Sequence, residues 1–336
     1  MRLVDIDSVE PGQILGKTIF SSNGTVLLAA GIQLTVYMIS TLRRLGVSAI
    51  YIDDPRFRDV EMQDLLQDET KRVIIQQMSE TFEALKSGKD FSARAISKSI
   101  DQLLDDVMRN SNVMVHLSDI RTTDNAMFVH AMNVCMLSAL IGLNMGLNML
   151  QLKDLSIGAL LHDIGKIDAP EVQEGRTHHA WRGFDILKSK REYNLLIAHV
   201  AFQHHEATDG SGVPRGISGD EIHLYAKIVA AANTYDNLLC TVENGKTLLP
   251  HEACERLNAM SGTKLDYEVL THFMRFVSVY PNGISVRLSN HKVGVVVGQH
   301  RGLPGRPVVR IISKEDGEAV EAEEIDLAEH PTIFIE

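Results

Sequence analysis

Between Asp124 and Leu147 apolar residues occupy nearly every face of a helical pattern. A helix that is apolar all round cannot lie on a surface, so it belongs at the centre of a sizeable core or in a bilayer. No uninterrupted apolar run reaches the length of about 20 residues that a bilayer span requires, which favours the core. Residues 124–280 as a whole alternate apolar helical stretches with short polar connections. The pattern predicts a helical domain wrapped around the 124–147 helix.

Histidines punctuate that domain. His162-Asp163 ends an apolar helical stretch in Leu160-Leu161-His162-Asp163-Ile164-Gly165-Lys166, with His130 upstream and His179, His204 and His205 downstream. An adjacent His and Asp at a helix end can aim an imidazole and a carboxylate at neighbouring metal ions, and one carboxylate has oxygens enough to bridge two. A single such pair is more often a satisfied core histidine than a ligand. Here the pair has company: His204-His205-Glu206 runs into Asp209-Gly210-Ser211-Gly212-Val213-Pro214, a glycine-rich polar turn of the kind that shapes a cleft rim. A donor set rich in imidazole and poor in carboxylate favours transition metals over Mg or Ca.

Taken in order, His130, His162-Asp163-Ile164-Gly165-Lys166, His179-Ala180-Trp181-Arg182-Gly183 and His204-His205-Glu206 through Pro214 resemble the HD-GYP family over about residues 115–285. The resemblance implies a mainly α fold with an all-helical HD-domain core, and a metal-dependent phosphodiesterase acting mostly on cyclic di-GMP. It further implies two divalent transition-metal ions, iron or manganese. One would be held by His130, His162 and Asp163 with Asn233, the other by Asp163, His179, His204 and His205. Asp163 and Lys166 take catalytic roles, Lys166 as donor to a non-bridging phosphate oxygen, and Lys166, Gly212, Val213 and Pro214 face the substrate. His178 lies outside the family spacing, and His199 falls on the apolar Leu195 to Phe202 stretch, where a core position is the plainer reading.

The chain departs from that family at several points. Asn233 stands where the family has an aspartate ligand, and Val213 where it has the tyrosine of its motif. The stretch Cys240-Thr241-Val242-Glu243-Asn244-Gly245-Lys246 replaces an Arg-Pro-Tyr segment that holds nucleotide in relatives, with Lys246 as a partial substitute. The segment from Ile167 to His178 is short, which implies a more open pocket, and Ala126 replaces a glutamate that holds a third ion in some relatives. These departures imply weaker metal binding on the His130 side and a weaker grip on the nucleotide. Three readings follow: a slow phosphodiesterase for cyclic di-GMP or a related cyclic dinucleotide; a degenerate module that binds metal or nucleotide and signals through partner proteins; and, disfavoured by the paired His204-His205, a general HD phosphohydrolase for nucleoside monophosphates or polyphosphates.

The rest of the chain supplies context. Residues 1–53 read as a small α+β N-terminal domain, with a hairpin about Ser22-Asn23-Gly24, a helix from Thr35 to Leu45 and a strand from Ser48 to Ile52. Residues 54–112 read as a helical linker broken at Ser87-Gly88-Lys89-Asp90, with Ile96, Ile100, Leu103, Leu104 and Val107 on one face. That face can pack on the core or pair two chains as a homodimer. Residues 113–282 form the catalytic domain, and 283–336 a short β-rich C-terminal extension whose acidic segment from Glu315 to Glu329 reads as a solvated face. A formal charge of −11 argues against tracking a long nucleic acid, which needs clustered Lys and Arg. Cys135, Cys240 and Cys254, far apart and without paired spacing, read as buried thiols of a reducing compartment. With an acidic start in place of a signal-peptide core, the expectation is a cytoplasmic protein without membrane insertion.

Overall fold

The computed structural model describes residues 1–57, 59–60, 64–117, 119–167, 178–243, 246–314 and 323–336. At the N-terminus β1 (Arg2–Asp5) pairs antiparallel with β4 (Ala49–Ile52), enclosing the hairpin of β2 (Ile19–Phe20) with β3 (Val26–Leu28) and the helix α1 (Val36–Arg44). Thr35 caps α1 by accepting from the Met38 N–H, and Leu45 ends it, so the expected helix is displaced only at its caps. Leu15, Ile19, Leu34, Leu42 and Ile50 make a core of their own. The strand β1 was not expected, because Leu3 and Val4 alone carry no pattern; its pairing with β4 comes from the fold.

Two helices follow, α2 (Asp68–Lys86) and α3 (Ala93–Arg109). Gly88, at φ 67°, makes the break between them in the left-handed region where glycine is favoured. Ile96, Ile100, Leu103, Leu104 and Val107 are all buried, in the same apolar cluster as the central helix. The linker therefore packs on the helical core, and this face is not available to a second chain.

The central helix α4 spans Ala126–Asn144, and every residue from Phe128 to Gly142 is buried. It is long and apolar enough to cross a membrane by composition, yet 83% of its apolar window lies inside the protein. Around it stand α5 (Met149–Leu160), α6 (His179–Lys188), α7 (Leu195–Gln203), α8 (Leu224–Cys240), α9 (Pro250–Ala259) and α10 (Tyr267–Phe273), with a two-stranded ribbon of β5 (Val242–Glu243) and β6 (Lys246–Thr247) after α8. Each fully buried Leu, Ile or Met on α4 contributes about 1.5–3 kcal/mol, so Leu140→Ala, at a position with no exposed surface, is a change that breaks this packing.

The C-terminal region is a four-stranded antiparallel sheet in the order β10 (Glu324–Asp326), β9 (Val308–Lys314), β8 (Lys292–Gly298), β7 (Ser285–Arg287). Strands β7, β8 and β9 agree with the β-rich extension expected there. The fourth, β10, lies in the acidic segment taken for a solvated face: Ile325 and Leu327 are buried while Glu324 stays exposed. Cys135 and Cys254 are buried, but Cys240 is exposed, because it falls at the C-terminal end of α8 where the helix leaves the core.

Candidate metal centre and cleft

The imidazoles meet where α4 faces the C-terminal ends of α5 and α7 and the first turn of α6. Ligand-capable atoms of Asp163, His179, His204 and His205 lie within 4.8 Å of one another, and so do those of His130, His162 and Asp163. Asp163 belongs to both groups. Its Oδ2 is 3.3 Å from His162 Nε2 and 3.7 Å from His130 Nε2, while Oδ1 is 3.3 Å from His179 Nε2 and 3.6 Å from His204 Nε2.

Helix ends orient these rings. His162 Nδ1 donates to the Ala159 carbonyl at 2.7 Å and His204 Nδ1 to the Ala201 carbonyl at 2.9 Å. Each N–H closes the last turn of its helix on a carbonyl without an intrahelical partner, and so fixes the tautomer with its proton on Nδ1. His130 Nδ1 stands 2.5 Å from Asp236 Oδ2, which fixes the same tautomer. The Nε2 lone pairs of these three rings therefore face inward, with 3.3 Å between His130 Nε2 and His162 Nε2, and the Nε2 atoms converge further at His179, 3.0 Å from His205 and 3.4 Å from His204.

Such lone pairs repel unless a proton or a cation lies between them. Protons are disfavoured, because burial drives the His179 pKa down to about 3 and lowers those of His204 and His205. Burial works against the Asp163 carboxylate too, but positive charge on the His162 and His204 side, from a proton on either ring or from a cation in its place, holds it well below the usual carboxylate range. Its Oδ1 is buried with no hydrogen-bond partner. Neutral inward-facing imidazoles around an ionised carboxylate with an orphaned oxygen are the donor set of a divalent cation site.

Asp236 went unnoticed in the sequence. It is fully buried on α8 and accepts from Arg121 and, at 3.0 Å, from Asn133 Nδ2 while it holds His130. A carboxylate on the far nitrogen of a ligating imidazole orients the ring and raises its basicity. The available signal was its place three residues after Asn233 on an apolar helix, which put both on one face. Asn233 is itself buried, and its Oδ1 accepts from Asn237 Nδ2 at 2.9 Å.

Above the imidazoles is a cleft of about 320 Å³, lined by His204, His205, Gly212, Val213, Asn233 and Lys264 among others. Gly212 is required there: a Cβ would lie 2.2 Å from the Ala207 nitrogen. The Glu206 carboxylate shapes the turn by accepting from the Arg215 and Ile217 N–H groups at 2.9 and 3.2 Å. Val213 is 48% exposed, and Pro214 is not among the lining residues. Lys264, also absent from the sequence reading, reaches the cleft from the loop before α10, with Nζ on Ser211 Oγ and 3.4 Å from Asp209.

Lys166 ends a 3-10 turn, Ile164–Lys166, and its Nζ is 2.6 Å from Asp163 Oδ2. Gly165 allows that turn to sit against α6, since a Cβ would meet the His179 carbonyl oxygen at 2.0 Å. His178 caps α6 and stacks on His179 with ring centroids 4.4 Å apart. His199 packs between Phe184 and Phe202 but stays half-buried, because it lies on the side of α7 that turns toward solvent, so it is not the core position expected. The short segment after Ile167 lies outside the described residues for 168–177, as do Asn244 and Gly245.

Comparison with known proteins agrees with this geometry. Residues 174–269 match the HD domain, and residues 285–336 match a KOW domain associated with HD domain. Residues 174–269 thus form a segment similar to the HD domain, within a chain whose similar proteins include phosphodiesterases. A cyclic di-GMP phosphodiesterase of Pseudomonas aeruginosa is 28% identical over 231 residues, 65% of this chain and 56% of that protein. A cyclic di-GMP phosphodiesterase of Thermotoga maritima is 34% identical over 161 residues, 44% of this chain and 43% of that one. The chain thus spans about half the length of the curated relatives it matches. In fold it is similar to an HDG"Y"P protein from Bdellovibrio bacteriovorus, with a TM-score of 0.50 at 17% identity over 81% of this chain and 97% of that one.

Proposed function

We propose that this protein is a metal-dependent phosphodiesterase that hydrolyses cyclic di-GMP or a related cyclic dinucleotide. The observation that carries the reading is the convergence of imidazole Nε2 atoms on the two oxygens of one buried carboxylate. In this reading His130, His162 and Asp163 hold one cation, and Asp163, His179, His204 and His205 a second. Two divalent ions, of the iron or manganese kind that imidazole suits, supply Lewis acidity for an in-line displacement at phosphorus when bound.

The chain's own residues do the rest. The Asp163 carboxyl, held well below its usual range, stays ionised as the shared ligand. Lys166 keeps a partly exposed ammonium beside it, in reach of a non-bridging phosphate oxygen. Lys264 brings a second positive charge to the cleft wall. Gly212 lets the Glu206 turn close tightly, so the wall stays low next to the substrate. Asp236 holds the His130 ring in place.

A receptor without turnover remains the second reading, and one observation favours it: the rim offers Val213, with no stacking face, where a base would lie. Turnover by the anaerobically purified full chain on a panel of cyclic di-GMP, cyclic GMP-AMP and cyclic di-AMP separates the two. The expected result is slow, metal-dependent hydrolysis of at least one, abolished in Asp163→Asn. Full metal content with no turnover of any would leave the receptor reading standing.

A further inference from the structure

The segment from Asp119 to Asn125, just before α4, is held by the N-terminal unit on one side and reaches the histidine floor on the other. Ile120 packs against the Leu15 and Ile50 core. The Thr123 N–H and Oγ1 both donate to the Leu45 carbonyl, at 2.9 and 3.0 Å, and Asn125 Nδ2 donates to the Phe20 carbonyl at 2.7 Å. Asn125 has no exposed surface, and its Oδ1 accepts from the Thr122 N–H at 2.8 Å, so the turn into α4 is fixed against β2. Asp119 adds an ionic tie. It lies 2.7 Å from Lys71 Nζ, which is also 3.2 Å from Asp64, and Asp64 accepts from Lys17 of the N-terminal unit. Both lysines are buried, and a buried ammonium is strongly disfavoured without a carboxylate partner, so these groups hold one another in place.

Arg121 points the other way, onto α8. One of its N–H groups donates to Asp236 Oδ1 and another to Cys240 Sγ. The second oxygen of Asp236 is the one that holds His130 Nδ1. A guanidinium carries its N–H groups in a rigid planar fork, so the placement of Arg121 fixes where the Asp236 carboxylate lies, and with it the His130 ring. Asn133 Nδ2 also reaches Asp236 Oδ1, at 3.0 Å, but Asn133 sits one turn after His130 on α4 and moves with the ring it would have to steer. Arg121 is the anchor from outside that helix.

We propose that Arg121 is a positioning residue for the cation site on the His130 side, and that the N-terminal unit, through its hold on residues 119–125, sets how tightly that cation is bound. The effect is confined to one of the two sites, because His179 opens α6 and His204 is tied to the end of α7, away from the Arg121 contacts. Residues 1–53 thereby act on the metal centre without contributing a ligand to it. The inference rests on the metal reading given above.

Manganese loading of the full chain followed by chelator competition tests it. Wild type is expected to release manganese in two phases, one of which His130→Ala lacks. Arg121→Ala should weaken that phase about tenfold, as loss of a group bracing a ligand does, and Arg121→Lys should recover most of the affinity. Asp119→Ala combined with Thr123→Val cuts the hold without touching α8, leaves Lys71 its Asp64 partner, and should weaken the same phase about threefold. The other phase should be unchanged throughout. Should Arg121→Ala lose its fold by circular dichroism, the double variant decides. Two wild-type phases that neither Arg121→Ala nor the double variant alters would overturn the proposal, as would equal weakening of both phases, the mark of a generally loosened core. Wild type that takes up no manganese would overturn the metal reading itself, and this proposal with it.

Discussion

The floor of the histidine cleft and its rim differ in how they are held. On the floor His162 has no exposed surface and His204 only 2%, whereas Val213 on the rim is 48% exposed. The floor rings are tied to helix ends and to Asp236, so moving one disturbs the core. The rim is loop, and its side chains carry little of the fold. A chain can therefore lose a rim tyrosine at little cost to stability, while loss of a floor histidine would unsettle several helices. This chain brings its histidine floor together inside the core and leaves Val213 exposed on a loop rim.

The comparison can be broken at several points. Asp163→Asn should have the largest effect, because it removes the carboxylate shared by both groups; metal content by elemental analysis should fall more than tenfold, and unchanged content would take Asp163 off the floor. Asp236→Asn comes next. It frees His130 and leaves the Arg121 guanidinium without its buried partner, so metal affinity should drop about 10–100-fold and stability by about 3–5 kcal/mol, read by denaturant titration. A variant as stable as wild type would show that the pair does not brace the floor.

Acid should expose the floor in the metal-free chain. His179 is held at about 3 against an ordinary value of 6.5, so the unfolded chain binds more protons between those values. Stability therefore rises with pH across that window and is lost as pH falls from 6.5 towards 3. Thermal melts of the apo protein check this, and a flat profile would mean that these imidazoles are not buried neutral.

Asn233→Asp sharpens the account of the His130 side. A charged oxygen in place of the amide should tighten metal binding by on the order of tenfold, measured by competition with a chelator. No change would place Asn233 outside the ligand set. Val213→Tyr is the smallest step: a stacking face at the exposed rim is worth about 1 kcal/mol, a roughly fivefold fall in KM for cyclic di-GMP with kcat unchanged. A fall in kcat instead would show that the rim shapes the reaction as well as binding.

Much of the floor was legible because imidazole and carboxylate at helix ends are rare and carry their spacing with them. His130, His162, Asp163, His179, His204 and His205 are all brought together as the motif order implied. Asp236 and Lys264 were not visible, since one aspartate on an apolar helix and one lysine in a turn look like any others until the fold brings them to His130 and to the cleft. The central helix and the amphipathic face of α3 were readable from periodicity. The strands β1 and β10 were not: β1 is short, and at β10 the acidic residues hide the buried Ile325 and, just beyond the strand, Leu327. Exposure of Cys240 depends on where α8 leaves the core, which composition does not encode.

Metal stoichiometry of the anaerobically purified wild-type chain tests the central claim most directly. The intact floor predicts two iron or manganese ions per chain, with the one on the His130 side lost first to a chelator. A chain that takes up no transition metal, even when supplied in excess, would contradict it.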